Sequence, residues 1–122
     1  MFDHIGIRVS DIAEASRFYD AVLPTLGYGR CSSEDEQVGY GADNQPAFWL
    51  HASSETGRGT HLAFAASDRS AVADFHAAGL KAGGTDNGAP GLRLDYTPTY
   101  FAAFLIDPAG NNVEAVCTGE AA

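Results

Sequence analysis

From Phe2 to Val9 the chain alternates as a strand does, with Ile5, Ile7 and Val9 on one face and His4, Gly6 and Arg8 on the other. Asp11 followed three residues later by Glu14 is a capping box, and it opens a predicted helix over Ile12 to Leu23. The apolar stripe of that helix is Ile12, Ala15, Tyr19 and Val22 with Phe18 alongside, and Pro24 and Gly27 close it. The stripe must cover the Ile5, Ile7, Val9 face, which turns His4 away from the helix. Three short strands follow, around Tyr28 to Ser32, Gln37 to Gly41 and Ala47 to Ala52, separated by segments rich in turn formers.

The same pattern then returns. Residues 3–11, DHIGIRVSD, reappear 57 positions later as THLAFAASD at 60–68, and Phe18, Ala21, Leu23 and Gly27 match Phe75, Ala78, Leu80 and Gly84. Leu62, Phe64 and Ala66 form the helix-facing side, so His61 faces the other way. Ser67 or Asp68 caps a helix to about Ala82, with Val72, Phe75 and Gly79 inward and Gly83 and Gly84 at its end. Gly84 to Leu94 carries a weak strand, Tyr100 to Ile106 a strong one, and Asn112 to Cys117 the last. Between the last two, Asp107-Pro108-Ala109-Gly110 has the residues of a type I turn. Each unit therefore reads strand, helix, strand, strand, strand. The fold class expected is α+β, two βαβββ modules forming a cupped mixed sheet with helices on its outer face. One domain spans residues 1–122, with modules at about 1–55 and 56–118.

Composition narrows the function classes. A net charge of -9 and a pI near 4.6 disfavour a nucleic-acid partner, which needs basic surface. No run of 18 apolar residues is present to span a membrane, and the N-terminus lacks the layout of a signal peptide. Cys31 and Cys117 fit no metal-type spacing and read as reduced thiols, so a cytoplasmic setting is expected.

Candidate chemistry comes from the faces. On the last strand Glu114 lies opposite Val113, Ala115 and Cys117, the face a helix would cover, and so shares the uncovered side with His4 and His61. Two imidazoles and a carboxylate with open positions are a set that holds Fe(II), and related sets hold Zn, Mn or Ni. A strand histidine is more often only hydrogen-bonded or half-exposed, but two at the same place in a repeat strengthen the metal reading. Matching the modules from their far ends places Trp49 opposite Glu114, and tryptophan cannot ligate; His51, two residues on, is offset by almost 7 Å along the strand.

Taken together, residues 4–11 (HIGIRVSD) with Phe18-Tyr19, residues 59–64 (GTHLAF) and residues 107–114 (DPAGNNVE) resemble the glyoxalase / bleomycin resistance / extradiol dioxygenase superfamily, the vicinal oxygen chelate proteins. The resemblance covers essentially the whole chain. It implies paired βαβββ modules around a site, in homodimers, with a divalent metal (Fe, Mn, Zn or Ni) held by His4, His61 and Glu114. The fourth ligand of glyoxalase I, a carboxylate, is missing here, which disfavours that reaction. The resemblance therefore implies a metal-dependent enzyme acting on a small oxygenated or aromatic substrate, with extradiol-type dioxygenation as one form. The alternative is a metal-free antibiotic-binding resistance protein of the same fold.

Further candidates line the same region. Tyr100 is the catalytic candidate, able to donate a hydrogen bond to bound oxygen or substrate. Arg8, Trp49, Arg93 and Tyr96 are candidates for substrate binding, with Trp49 and Tyr40 as wall residues. Each also has a plain structural reading: Tyr100 as a strand aromatic, Tyr96 as a loop anchor, Arg93 as a solvated charge.

Overall fold

The structure is a computed structural model in which residues 1–119 are described. The first module runs β1 (Ile5–Val9), α1 (Ile12–Val22), a 3-10 turn (Leu23–Leu26), β2 (Gly29–Ser33), β3 (Gln37–Gly41) and β4 (Phe48–Ala52). The second runs β5 (His61–Ala65), α2 (Arg69–Lys81), β6 (Thr85–Leu92), β7 (Phe101–Ile106) and β8 (Asn112–Cys117). The strand orders β1-β4-β3-β2 and β5-β8-β7-β6 are the same, each with one parallel pair, formed by the module's first and last strands. The α+β class and the repeated βαβββ module are as the periodicity predicts.

Local chemistry explains the helix ends. Asp11 accepts the Glu14 backbone N–H at 3.0 Å, and Asp68, rather than Ser67, accepts that of Ala71 at 2.8 Å. Gly27, at φ 89°, supplies the left-handed residue that ends the first helical segment. The segment predicted as a weak strand is an eight-residue edge strand, β6, whose pairing with β7 shifts around Gly88 and again before Gly91. An edge position tolerates Pro90, whose missing N–H would break a central strand.

Among the described residues the two sheets stay separate, with no hydrogen-bonded strand pair between modules. The modules join instead through their helix-covered sides, which share one core containing Phe18, Val22, Leu50, Phe75, Leu105 and Val113. Gly79 lets this contact close: a Cβ there would lie 2.2 Å from Leu105 and 3.1 Å from Val22. Gly84 does the same for the Phe18 ring. A polar pin crosses the joint, where the buried Tyr19 hydroxyl donates to Asp107 at 2.5 Å. Asp107 also accepts the backbone N–H groups of Ala109 and Asn111, which fixes the β7–β8 turn. Burial and then Asp107 hold the Tyr19 phenol well above its ordinary pKa. With the helix sides turned toward each other, each module keeps its own uncovered sheet face.

Candidate functional site

On the second module's uncovered face, strand register sets Ala63, Glu114 and Phe104 side by side across β5, β8 and β7. His61 stands two residues before Ala63 on the same face, and its Nε2 lies 2.6 Å from Glu114 Oε1. The other carboxylate oxygen accepts the Tyr100 hydroxyl at 2.7 Å. Glu114 is only 2% exposed, while the His61 side chain is 53% exposed, so the pair runs from a buried acid to an open imidazole. Burying a carboxylate costs several kcal/mol unless charge or hydrogen bonds compensate it. Among the described residues no Lys or Arg pairs with Glu114. Imidazole and phenol alone serve it.

The second-module candidates gather around this pair. Burial, then the hydrogen bond to Glu114, pushes the Tyr100 phenol up to about 12, so it stays a donor at neutral pH. Tyr96 meets the Tyr100 ring edge to face at 4.9 Å. The Arg93 guanidinium lies 5.3 Å from the Phe104 ring centre and donates to the carbonyls of Gly91 and Ala89. Those bonds fold it back onto β6 rather than leaving it free in solvent. Phe104, 6.3 Å from the His61 ring, was missed from the sequence although strand alternation through Ala102 and Ile106 marks its face.

His4 and Trp49 belong to the other half. Strand register pairs Gly6 with Trp49 and Ala63 with Glu114, so Trp49 does occupy the place of the missing acid. Its indole, however, swings over β3, where a Cβ on Gly39 would meet the ring at 2.8 Å. His51 leans the opposite way, over Gly6, with its ring stacked parallel to the indole at 6.4 Å and 17°. His4, Trp49 and His51 line one cavity of about 340 Å³ together with Asp3, Gln37 and Pro46. The His4 Nδ1 lies 2.7 Å from the Asp3 carboxylate.

A single chain does not bring His4 to His61 and Glu114. Among the described residues, no three His, Cys, Asp or Glu side chains come close enough to hold a metal ion. The reason lies in the module docking: the three share the uncovered side, but each module's uncovered side belongs to a separate sheet. Arg8 is exposed and, among the described residues, makes no ion pair; it lines a cleft of about 350 Å³ with Gly57, Thr60 and Asn111. Tyr40 does not share the Trp49 cavity but lines a separate apolar cleft of about 480 Å³. Its partner on β4 is Phe48, on the helix-covered side, and its buried hydroxyl donates to Ser16 and Asp20.

Comparison with known proteins places this geometry in a family. No family model matches the chain, and no curated protein sequence matches it. Solved structures do. A glyoxalase/bleomycin resistance protein from Albidiferax ferrireducens T118 has a TM-score of 0.85 at 31% identity, with 95% of this chain and 98% of that one covered. A glyoxalase/bleomycin resistance protein/dioxygenase family enzyme from Burkholderia phytofirmans PsJN has 0.72 at 20%, covering 96% and 98%. A glyoxalase-related enzyme from Fulvimarina pelagi has 0.73 at 17%, covering 95% and 86%. The repeated βαβββ topology and the first of these matches, across nearly the full length of both chains, make this chain a member of the glyoxalase/bleomycin resistance protein family.

Proposed function

We propose that the protein is a metal-dependent enzyme acting on a small oxygenated or aromatic substrate, with His61 and Glu114 holding the metal. One observation carries the reading: a carboxylate buried to 2% exposure whose side-chain partners are an open imidazole 2.6 Å away and a phenol. A divalent cation suits that pair, since neutral imidazole and carboxylate are ligands for Fe, Mn, Zn and Ni alike, and a proton between them is what the ion would displace. The chemistry such an ion supplies is Lewis-acid stabilisation of negative charge on substrate oxygens. Tyr100 orients Glu114 through its hydroxyl, and Tyr96 and Phe104 give the substrate apolar walls. His4 comes from a second copy of the chain, which makes the working unit a homodimer. For a three-donor set of His4, His61 and Glu114, ring-opening dioxygenation is the finer form of the reading. The free thiols of Cys31 and Cys117 suit a cytoplasmic setting.

Elemental analysis of the purified protein should find about one divalent metal per chain. A metal at 100 times its Kd should stabilise the fold by about 2.7 kcal/mol, a rise of several degrees in Tm. No stoichiometric metal, with Tm unmoved by Fe(II), Mn(II), Ni(II) and Zn(II), would overturn the proposal.

A second reading, metal-free binding of a small apolar or aromatic molecule such as an antibiotic, draws on a different observation. A cleft of about 480 Å³ between the modules is lined mainly by apolar side chains, among them Leu23, Tyr28, Phe48, Leu62 and Phe64. Calorimetric binding of such a molecule to chelator-treated protein, unaffected by Glu114→Gln, would favour it.

A further inference from the structure

We infer that His51 is a further metal ligand, supplying from the first module the donor that Trp49 cannot. The inference rests on the metal-dependent reading above and adds a residue to it.

Corresponding positions of the two modules carry different side chains. In the second, Ala63 pairs with Glu114, and the Glu114 carboxylate reaches His61, two residues before Ala63. In the first, the corresponding row is Gly6 and Trp49, and His4 is the residue two before Gly6. Trp49 turns its ring onto β3 above Gly39, so its side chain leaves the space over Gly6 free. The His51 imidazole fills that space: a Cβ on Gly6 would lie 2.8 Å from its Nε2. The backbone of His51 is beside Arg8, two register pairs further along, which is why strand spacing alone argues against a substitution here. A side chain of this length leaning back along the strand removes most of the offset. His51 Nε2 thus lies over Gly6, in the row that corresponds to that of Glu114, and His51 and His4 border one cavity.

Two glycines make this arrangement possible. Gly39 gives the indole a flat place to lie, and Gly6 leaves the room that His51 uses. The indole lies nearly parallel to the imidazole, with ring centroids 6.4 Å apart. Four donors would result when the first module of one copy meets the second module of another: His4, His51, His61 and Glu114. With four protein donors in place of three, the ion would have less room for substrate and dioxygen together, which would favour rearrangement or elimination of an oxygenated substrate over oxygenation.

Zn(II) binding to the full-length protein, measured by competition with a chromophoric chelator, tests this with no reference to activity. Wild type should bind one Zn(II) per chain and His61→Ala should lose it. His51→Ala should weaken binding by more than the roughly 10- to 100-fold that loss of an outer-shell partner costs. Gly6→Ala removes no donor atom, but its methyl group would displace the imidazole, so it should weaken binding in the same direction; His51 is a flexible side chain at that contact, and the metal-free melting temperature should hold. If His51→Ala and Gly6→Ala both bind Zn(II) as wild type does while His61→Ala fails, His51 is not a ligand and the three-donor reading stands. If wild type takes up no Zn(II), Fe(II), Mn(II) or Ni(II), the metal reading and this inference fall together.

Discussion

At the scale of single residues, the second-module site is built around the burial of Glu114. Glu114→Gln keeps the shape but removes the charge and turns one of the two acceptor oxygens into an N–H donor. It should weaken metal binding by at least about 100-fold in the same chelator competition, more than any outer-shell change. Tyr100→Phe removes only the hydroxyl that orients the acid and should cost about tenfold in affinity. The tyrosines also shape the response to alkali. Tyr100 titrates near 12, and the buried Tyr19 and Tyr40 are also raised, by burial first and then by Asp107 and Asp20 respectively. Tyrosines in the unfolded chain ionise near pH 10. Below pH 10 their contribution to stability is therefore complete, and it is lost as pH rises from about 10 through 12. Denaturant midpoints measured at pH 9 and pH 11.5 should show that fall, with absorbance at 295 nm rising together with unfolding. Much of this was legible in the chain. Strand alternation alone put His4, His61 and Glu114 on uncovered faces and set Trp49 opposite Glu114. The lean of a side chain across its neighbour is not periodic, so His51 over Gly6 and the indole over Gly39 became visible only in three dimensions.

The elements follow from caps and periodicity, while their docking follows from small residues and one buried hydrogen bond. Helix α2 approaches both α1 and its own sheet at Gly79. Gly79→Ala would raise helix propensity but drive a methyl into Leu105 and Val22, and the collision should dominate, costing about 1–3 kcal/mol in chemical denaturation. Tyr19→Phe should cost about 1.5–3 kcal/mol, because it removes a buried donor to a carboxylate and leaves that carboxylate with one partner fewer. A double-mutant cycle with Asp107→Asn should show strong coupling between the two positions. Nothing in the sequence paired Tyr19 with Asp107, which lie 88 residues apart. The type I turn was predicted from Asp107 to Gly110, and its aspartate proves to serve both the turn and the module joint. The edge strand β6 was the least legible element. Its glycines and Pro90 obscure the alternation, and its pairing is irregular for the same reason.

For the whole molecule, the repeat reads clearly as two modules but says nothing of how they meet. Alternation defines which face of a sheet is covered, and the same faces arise whether the two uncovered sides converge within one chain or across two. Here the modules dock through their helix sides, and the His4 half stands apart from the His61 half. A twofold dimer that joins unlike halves has a consequence for mixed variants. In a hybrid of His4→Ala with His61→Ala, one site carries both substitutions and the other carries neither. A one-to-one mixture, co-refolded, should recover about a quarter of wild-type metal capacity, from variants that separately retain little. Recovery absent from the mixture would confine the site to one chain.

Anomalous X-ray scattering from metal-loaded crystals is the most direct measurement of the central claim. The account predicts one peak per chain, about 2.0–2.2 Å from His61 Nε2 and from a Glu114 carboxylate oxygen, with His4 of a second copy also in the coordination shell. A peak that touches neither His61 nor Glu114, or no peak at all from protein soaked in Fe(II), Mn(II), Ni(II) and Zn(II), would contradict it.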